Sequence, residues 1–346
     1  MWFTSDNASG APAEVMDALG RANEGWASAY GADDPTSRAC DAIRDVFEAP
    51  EAAVYFVSVG TAANALALGC LTRPWEAVFC HRTAHIEEDE GGAPEFFTDG
   101  AKLTLAGGAD GMMDIAGLTR ALTEAGDSIH NVKCGALSIT QTTEVGTNYP
   151  IETVTALTTL ARDNGMGVHM DGTRLANALA ATGLSPAEMT WKAGVDILCL
   201  GGTKNGALAA EAVILFDKAK AWEFERRRKR GGHLFSKMRF MSAQFEALMT
   251  DDLWLRLAAH SNGRAARLAE GLRQMPDIRI LHPVDANLIF AEIPVALHEA
   301  MMARGAAYYA MPIFGRPDHL RIRLVSSFQT TDEDVDALLA AFRQGC

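Results

Sequence analysis

Short apolar segments of strand length alternate with helical segments through the first two thirds of the chain. Residues 54–57 and 197–200 are continuously apolar and do not alternate with polar residues. This is typical of strands in a mostly parallel sheet whose two faces are both covered by helices. The pattern therefore predicts an α/β fold. The predicted strands cover residues 53–59, 77–80, 102–105, 135–140, 167–170, 196–200 and 212–216.

The last third of the chain has a different organisation. An amphipathic helix is predicted over residues 253–275, and strand-like segments follow at 286–291 and 320–325. Thr330 and Glu333 have capping-box spacing before a last predicted helix. We therefore expect a large domain over residues 1–250, a smaller α+β domain over residues 251–346, and an N-terminal segment that can pack on the small domain. The predicted helices are 60–71, 114–124, 151–164, 175–182, 253–275 and 332–343.

Charge and composition exclude several classes of protein. The 346 residues carry a net charge of −13, which argues against nucleic acid as the main partner. No apolar run approaches the roughly 18 residues that span a bilayer, and the N-terminus lacks the features of a secretory signal. The six cysteines form no C-x-x-C pair and no metal-ligand spacing. These features predict a cytoplasmic protein with reduced cysteines and no metal site.

One basic run interrupts this acidic chain. Residues 226–230 are Arg-Arg-Arg-Lys-Arg, and two glycines follow. We interpret the run as a solvated helix end. The alternative is a basic loop at a subunit contact or at the mouth of an active site.

Lys204 is the strongest candidate for a reactive residue. The sequence has eight lysines, and Lys204 follows a buried strand and the pair Gly201-Gly202. A lysine there would be partly desolvated, and such an amine can act as a nucleophile toward a carbonyl group. A solvated turn lysine is the alternative. A phosphate-binding P-loop does not fit, because Thr203 precedes the lysine where that motif needs Ser or Thr after it.

Asp171 ends another apolar strand, and Arg174 follows three residues later where a helix would begin. A buried carboxylate there must be paired. It could form an ion pair with Arg174 or cap the helix. It could also hold the protonated pyridine nitrogen of pyridoxal 5′-phosphate (PLP), which the ring needs in order to accept electrons.

A third segment provides a candidate phosphate site. A predicted strand ends at Gly60-Thr61 and enters a helix. Free backbone N–H groups at a helix N-terminus bind anions, and the Thr61 hydroxyl adds a donor. The chain order of phosphate turn, aspartate and lysine matches that of fold-type I PLP enzymes.

The sequence resembles the threonine aldolase family within fold type I, which includes low-specificity L-threonine aldolases and phenylserine aldolases. The resemblance covers nearly the whole chain, and its motifs are specific as a set. They are Phe3-Thr-Ser5-Asp-Asn, Tyr30-Gly-Ala-Asp-Asp-Pro-Thr36, Gly60-Thr61-Ala-Ala-Asn64, Ala84-His85-Ile, Asp171-Gly-Thr-Arg174, Gly202-Thr-Lys204-Asn and Arg321-Ile-Arg323-Leu-Val325.

The resemblance implies a role for each matching residue. Lys204 would form the Schiff base with PLP, and Asp171 would pair with the pyridine nitrogen. Gly60, Thr61 and Ala62 would bind the phosphate. His85 would stack on the ring and lie near the substrate hydroxyl, and His130 would lie near the same hydroxyl. Ser5, Arg174 and Arg323 would bind the substrate carboxylate. Tyr30 would contact the site of a neighbouring subunit.

The resemblance further implies cleavage of β-hydroxy-α-amino acids to glycine and an aldehyde by a dimer or tetramer. His85 is the first candidate base, although His81 is close enough in sequence to exchange roles with it. Another fold-type I reaction, β-elimination or glycine hydroxymethyl transfer, is the nearest alternative. A non-catalytic binding protein is the second alternative, and the presence of Lys204 and Asp171 argues against it. Departures from the family pattern occur at Gln141-Thr-Thr-Glu144 and at residues 231–239.

Overall fold

A computed structural model of the chain describes residues 1–126 and 128–345. A seven-stranded sheet forms the centre of the larger part, in the order β1-β7-β6-β5-β4-β2-β3. Strands β2 to β6 are mutually parallel, while β7 is antiparallel to both of its neighbours. The predicted α/β fold with a mostly parallel sheet is confirmed. The strands are β1 (Ala53–Val57), β2 (Glu76–His81), β3 (Lys102–Ala106), β4 (Lys133–Thr140), β5 (Gly167–Gly172), β6 (Ile197–Gly201) and β7 (Glu211–Leu215).

Helices pack on this sheet, and one buried cluster of apolar side chains runs from Val15 to Ala258. Within it, Phe56 of β1 contacts Phe245 with ring centroids 5.4 Å apart. The helices of this part are α1 (Ala13–Ala22), α2 (Asp34–Val46), α3 (Gly60–Leu71), α4 (His85–Glu88), α5 (Ala93–Phe97), α6 (Ile115–Ala125), α7 (Ile151–Asp163), α8 (Leu175–Thr182), α9 (Pro186–Met189), α10 (Ala221–Arg230) and α11 (Arg239–Met249).

A four-stranded antiparallel sheet in the order β10-β11-β9-β8 forms the C-terminal part, with its own buried cluster. The long helix α12 contributes Leu253 to the first cluster and Leu268 to the second. Phe3 also belongs to the second cluster, and its backbone bonds Ala307 and Val325. We propose that these two cores are two domains that meet within α12. The elements are α12 (Leu253–Arg273), β8 (Arg279–Ile280), β9 (Leu288–Pro294), α13 (Val295–Ala303), β10 (Tyr309–Ile313), β11 (Arg316–Val325) and α14 (Asp332–Gly345).

One local prediction is wrong, and another is confirmed only in part. The reciprocal hydrogen bonds before α14 join Thr331 and Asp334, one position later than the predicted pair. The basic run on α10 is not simply a solvated helix end. Arg228 is buried with its guanidinium 4.8 Å from the ring centroid of Tyr55, and Arg227 bonds the carbonyl of Phe97. The long aliphatic stems of arginine allow such packing.

Across the described part of the chain, each helix is too short or too polar to span a bilayer. Cys40, Cys70, Cys80 and Cys199 are buried free thiols, while Cys346 lies outside the described residues.

The sheet topology gathers several chain segments at one edge. Strands β2, β4, β5 and β6 are parallel, and β1 has the same direction because both β1 and β6 are antiparallel to β7. All five strands therefore end at the same side of the sheet, which we call the carboxyl edge. Ligands of α/β proteins bind at this edge.

Candidate active site

The lysine, aspartate and helix segments predicted from the sequence meet at the carboxyl edge. Strands β5 and β6 pair Gly172 with Leu200. A Cβ atom on Gly201 would lie 2.2 Å from the carbonyl oxygen of Thr173, so only glycine permits this backbone contact. A Cβ atom on Gly60 would lie 3.7 Å from the Thr173 hydroxyl. Residue 173 thus joins the start of α3 to the end of β6.

Asp171 is a buried carboxylate that accepts three hydrogen bonds. One oxygen accepts bonds from the Thr173 N–H at 3.0 Å and the Thr173 hydroxyl at 2.7 Å. The other accepts a bond from Asn64 at 2.9 Å. Burial by itself raises the pKa of Asp171, but the Thr173 bonds and the nearby His169 and His85 outweigh it and lower the pKa below its ordinary value. Asp171 is therefore ionised and can hold a protonated ring nitrogen.

Lys204 lies on a short 3-10 turn, Thr203–Asn205, that begins two residues after β6. The side chain is half-buried. Among the described residues, none forms a hydrogen bond or ion pair with its amine. It interacts electrostatically with Asp6, His85 and Glu211. The amine therefore faces the site and has no structural partner that would hold it elsewhere.

The N-terminus of α3 provides free backbone donors at the same edge. No side chain caps this end of the helix, and the first helical bond is made by the Ala63 N–H to Val59. The N–H groups of Gly60, Thr61 and Ala62 are thus available, as expected for the first turn of a helix. Together with the Thr61 hydroxyl they can hold a phosphate.

His85 begins α4 and forms a hydrogen bond of 2.9 Å between Nδ1 and Glu90. The buried Glu90 carboxylate also accepts a bond of 2.8 Å from Asn64, the residue that donates to Asp171. This bond from His85 to Glu90 raises the pKa of His85 above its ordinary value. Burial raises the pKa of Glu90, and the bonds from His85 and Asn64 offset only part of this effect. Glu90 thus fixes the ring of His85 and leaves Nε2 for a reacting proton.

Glu90→Gln is expected to lower kcat by about 10- to 100-fold, which is part of the roughly 10²–10⁴-fold contribution of a general base, because His85 itself is retained. The substitution removes the negative charge that raises the pKa of His85, so the acid limb of the kcat/KM profile should move to lower pH. The profile should be compared with that of Glu87→Gln, because Glu87 is an exposed residue of the same helix. An unshifted acid limb would exclude this role for Glu90.

Arg174 forms an ion pair with Asp6, a partner that the sequence did not indicate. Its Nε and Nη2 atoms bond the two oxygens of Asp6 at 2.7 and 3.1 Å. Asn287 bonds the same carboxylate at 3.1 Å. The suggested ion pair of Arg174 with Asp171 is therefore wrong. Asp6 is buried, which raises its pKa, but Arg174 outweighs this and holds the pKa below its ordinary value.

Arg323 is the better candidate for a substrate carboxylate. It lies half-buried on β11. Its Nη2 bonds the carbonyl of Thr4 at 3.2 Å, while its buried Nε has no partner in the described part of the chain. Burial and the nearby Arg174 lower the pKa of Arg323. Ser5 is the neighbour of Thr4 and caps the short turn at Asp6–Ala8. A guanidinium that forms no ion pair with any described residue favours a bound anion.

His81 ends β2 at the carboxyl edge, but its hydrogen bonds join it to Thr83 and to the carbonyl of Gly108. His81 bonds Thr83 at 2.8 Å, and burial lowers its pKa. Its electrostatic partner is Arg82, whereas His85 interacts with both Lys204 and Asp171. His85 is therefore the histidine at the site.

His130 lies on an exposed turn before β4, at the opposite edge of the sheet. The eight residues of β4 place it about 25 Å from the carboxyl edge. Tyr30 is 53% exposed and packs under Lys229. The structure does not bring either residue to the site of its own chain.

The residues at the carboxyl edge fit PLP. The cofactor requires an amine, an anion site and an ionised partner for the ring nitrogen. Lys204, the uncapped start of α3 and Asp171 provide these groups on adjoining elements.

Several residues of the site were not found from the sequence. Asp6, Asn64 and Asn287 have partners far along the chain, so no local pattern marks them. Glu90 ends the polar stretch that begins near His85. This position was the only feature of the sequence that could have indicated Glu90 as a site residue. Glu144 interacts electrostatically with His85, Arg174 and Arg323. The residues missed are Asp6, Asn64, Glu90, Glu144, Thr173, Glu211 and Asn287.

The fold and the site define an α/β enzyme of fold type I. The sequence profile of the beta-eliminating lyase family matches residues 3–296, and the chain belongs to this family.

Individual relatives agree. A low specificity L-threonine aldolase of Pseudomonas aeruginosa is 44% identical over 307 residues, which cover 89% of this chain and 88% of the relative. A low specificity L-threonine aldolase of a Pseudomonas species is 40% identical, with 99% and 96% covered. A solved threonine aldolase structure from Leishmania major superposes with a TM-score of 0.93 at 30% identity, over 99% of this chain and 98% of that one.

Proposed function

We propose that this enzyme is a PLP-dependent carbon–carbon lyase that cleaves β-hydroxy-α-amino acids to glycine and an aldehyde. Substrates would be of the L-threonine, L-allo-threonine or phenylserine type. The observation that carries the proposal is the position of Lys204 and the ionised Asp171 at the carboxyl ends of the neighbouring strands β6 and β5, with the Lys204 amine unpaired among the described residues. The threonine aldolase relatives support the same reaction.

Lys204, Asp171 and the start of α3 would hold the cofactor, with the Thr61 hydroxyl at its phosphate. When bound, PLP supplies an electron-accepting ring for the pair of electrons that the broken Cα–Cβ bond leaves on Cα. Asp171 favours this chemistry because its carboxylate keeps the ring nitrogen protonated. Asn64 and Thr173 maintain that charge by donating to it.

His85 is placed to move the substrate proton. Its Nδ1 is held by Glu90, so Nε2 can accept the proton of the β-hydroxyl group. Loss of that proton allows a carbonyl group to form at Cβ as the Cα–Cβ bond breaks. The aldehyde then leaves, and a proton added at Cα completes glycine. General-base catalysis of this kind contributes about 10²–10⁴-fold.

Arg323 orients the amino acid through its carboxylate. Arg174 can assist only with donors that Asp6 leaves free. A fixed carboxylate would hold the amino acid in one orientation, so that the same bond at Cα is broken in each turnover. Ser5 would add a hydroxyl donor next to Arg323.

Arg323→Ala is expected to raise KM for L-threonine by about 10- to 100-fold, which corresponds to the loss of a charge-assisted hydrogen bond. The exposed Arg304 at the end of α13 provides a control. Arg304→Ala should leave KM unchanged. If KM hardly moves in Arg323→Ala, this arginine is structural.

The active unit would be a homodimer or homotetramer in the cytoplasm. Tyr30 is exposed, so it is available to contact the site of a neighbouring subunit.

Beta-elimination is the second candidate reaction, because the family profile that matches the chain is named for it. Incubation of the PLP-loaded enzyme with L-threonine distinguishes the two. Glycine and acetaldehyde in equal amounts are expected from the lyase proposed here. Ammonia and a 2-oxo acid would instead support elimination, and folate-dependent exchange with serine would support hydroxymethyl transfer.

A further inference from the structure

A buried carboxyl group that the mechanism does not use lies next to the lysine turn. Glu211 is the first residue of β7 and pairs with Gly201 of β6. Because β7 is antiparallel to β6, its first residue lies at the carboxyl edge. Glu211 is only 6% exposed. A buried carboxyl group is costly unless it is hydrogen-bonded.

The partners of Glu211 are the two residues that precede Lys204. Its Oε2 accepts a bond of 2.9 Å from the Gly202 N–H, and the Thr203 hydroxyl donates to the same carboxyl group. The turn is tightly packed, since a Cβ atom on Gly202 would lie 2.5 Å from the carbonyl of Ala210. Glu211 therefore holds the backbone and side chain that carry Lys204.

Among the described residues, few titratable groups interact with Glu211. Lys204 and Asp171 interact with it from the lysine turn and β5, and the Cys199 thiol from β6. Its partner on β1 is the apolar Val57, and α3 contains no charged residue. Burial raises the pKa of Glu211 to about 7, although the Thr203 and Gly202 donors and the Lys204 charge offset part of the effect.

We propose that Glu211 is a positioning residue for Lys204, which fixes the turn and supplies a negative charge that stabilises the protonated lysine nitrogen. This inference rests on the proposed function, because it assigns a role toward the lysine that binds PLP. It predicts that the carboxyl charge sets the pH at which the lysine-bound cofactor changes its absorption.

Absorption spectra of the PLP-loaded enzyme from about pH 5 to about pH 10 test the inference. In Glu211→Gln the hydrogen-bonding shape is kept and the charge is lost, so the protonated nitrogen is less stable. The midpoint of the absorption change should fall by about one unit. Glu124→Gln removes an exposed charge on α6 and should keep the wild-type midpoint.

An unchanged midpoint in folded Glu211→Gln would overturn the inference. If that variant does not fold, Thr203→Val tests the same contact, because it removes a donor to the ionised carboxyl group. Its midpoint should fall by a smaller amount, and a wild-type value would contradict the role of Glu211. A wild-type enzyme with no lysine-bound absorption band would instead refute the proposed function, and this inference with it.

Discussion

Lys204→Ala is expected to lower kcat for L-threonine cleavage by about 10⁴-fold or more. The amine is the group proposed to bind the cofactor, and the other seven lysines of the chain lie outside the turn that follows β6. Proton transfer alone contributes about 10²–10⁴-fold, and the loss of covalent cofactor binding adds to it. Release of acetaldehyde by the purified variant, with PLP in excess, measures the effect.

The matched control for this substitution is Lys102→Ala. Lys102 is exposed and begins β3, at the edge of the sheet opposite the site. Its removal changes the net charge equally and should leave kcat unchanged. Turnover by Lys204→Ala within tenfold of wild type would refute the assignment of Lys204.

Asp171→Asn is expected to lower kcat by about 10²–10³-fold, the effect of removing one group that stabilises developing charge. The carboxylate keeps the ring nitrogen protonated, and a neutral amide of the same shape cannot do so. PLP should also be retained more weakly. Steady-state kinetics measure kcat, and the cofactor content after gel filtration measures PLP retention.

Asp17→Asn, on the exposed face of α1, serves as the control for charge. Because the pKa of Asp171 lies below its ordinary value, the effect should persist throughout the neutral pH range. Kinetics and PLP retention that equal those of wild type would remove Asp171 from the site.

The parts of this structure that the sequence predicted are those encoded locally. Continuous apolar segments identified the central strands, and two helices, α3 and α8, have the predicted bounds. Lys204 and Asp171 were recognisable because Asp171 lies near the end of one buried strand and Lys204 follows another. The carboxyl ends of parallel strands lie at one edge, so their proximity follows from the topology.

Contacts between distant segments could not be predicted in this way. Asp6 and Arg174 are 168 positions apart, and nothing beside either residue indicates the ion pair. Asn64 joins Glu90 to Asp171 through the packing of α3 on the sheet. The position of Arg228 inside the protein likewise depends on Tyr55, from a strand far earlier in the chain.

The most direct test of the central claim is to find which atom of the chain binds PLP. The enzyme loaded with PLP is reduced with borohydride, digested, and its peptides are analysed by mass spectrometry. The reduced cofactor should be found on the peptide that contains Lys204 and on that lysine alone. Its attachment to another of the eight lysines, or to none, would contradict the account.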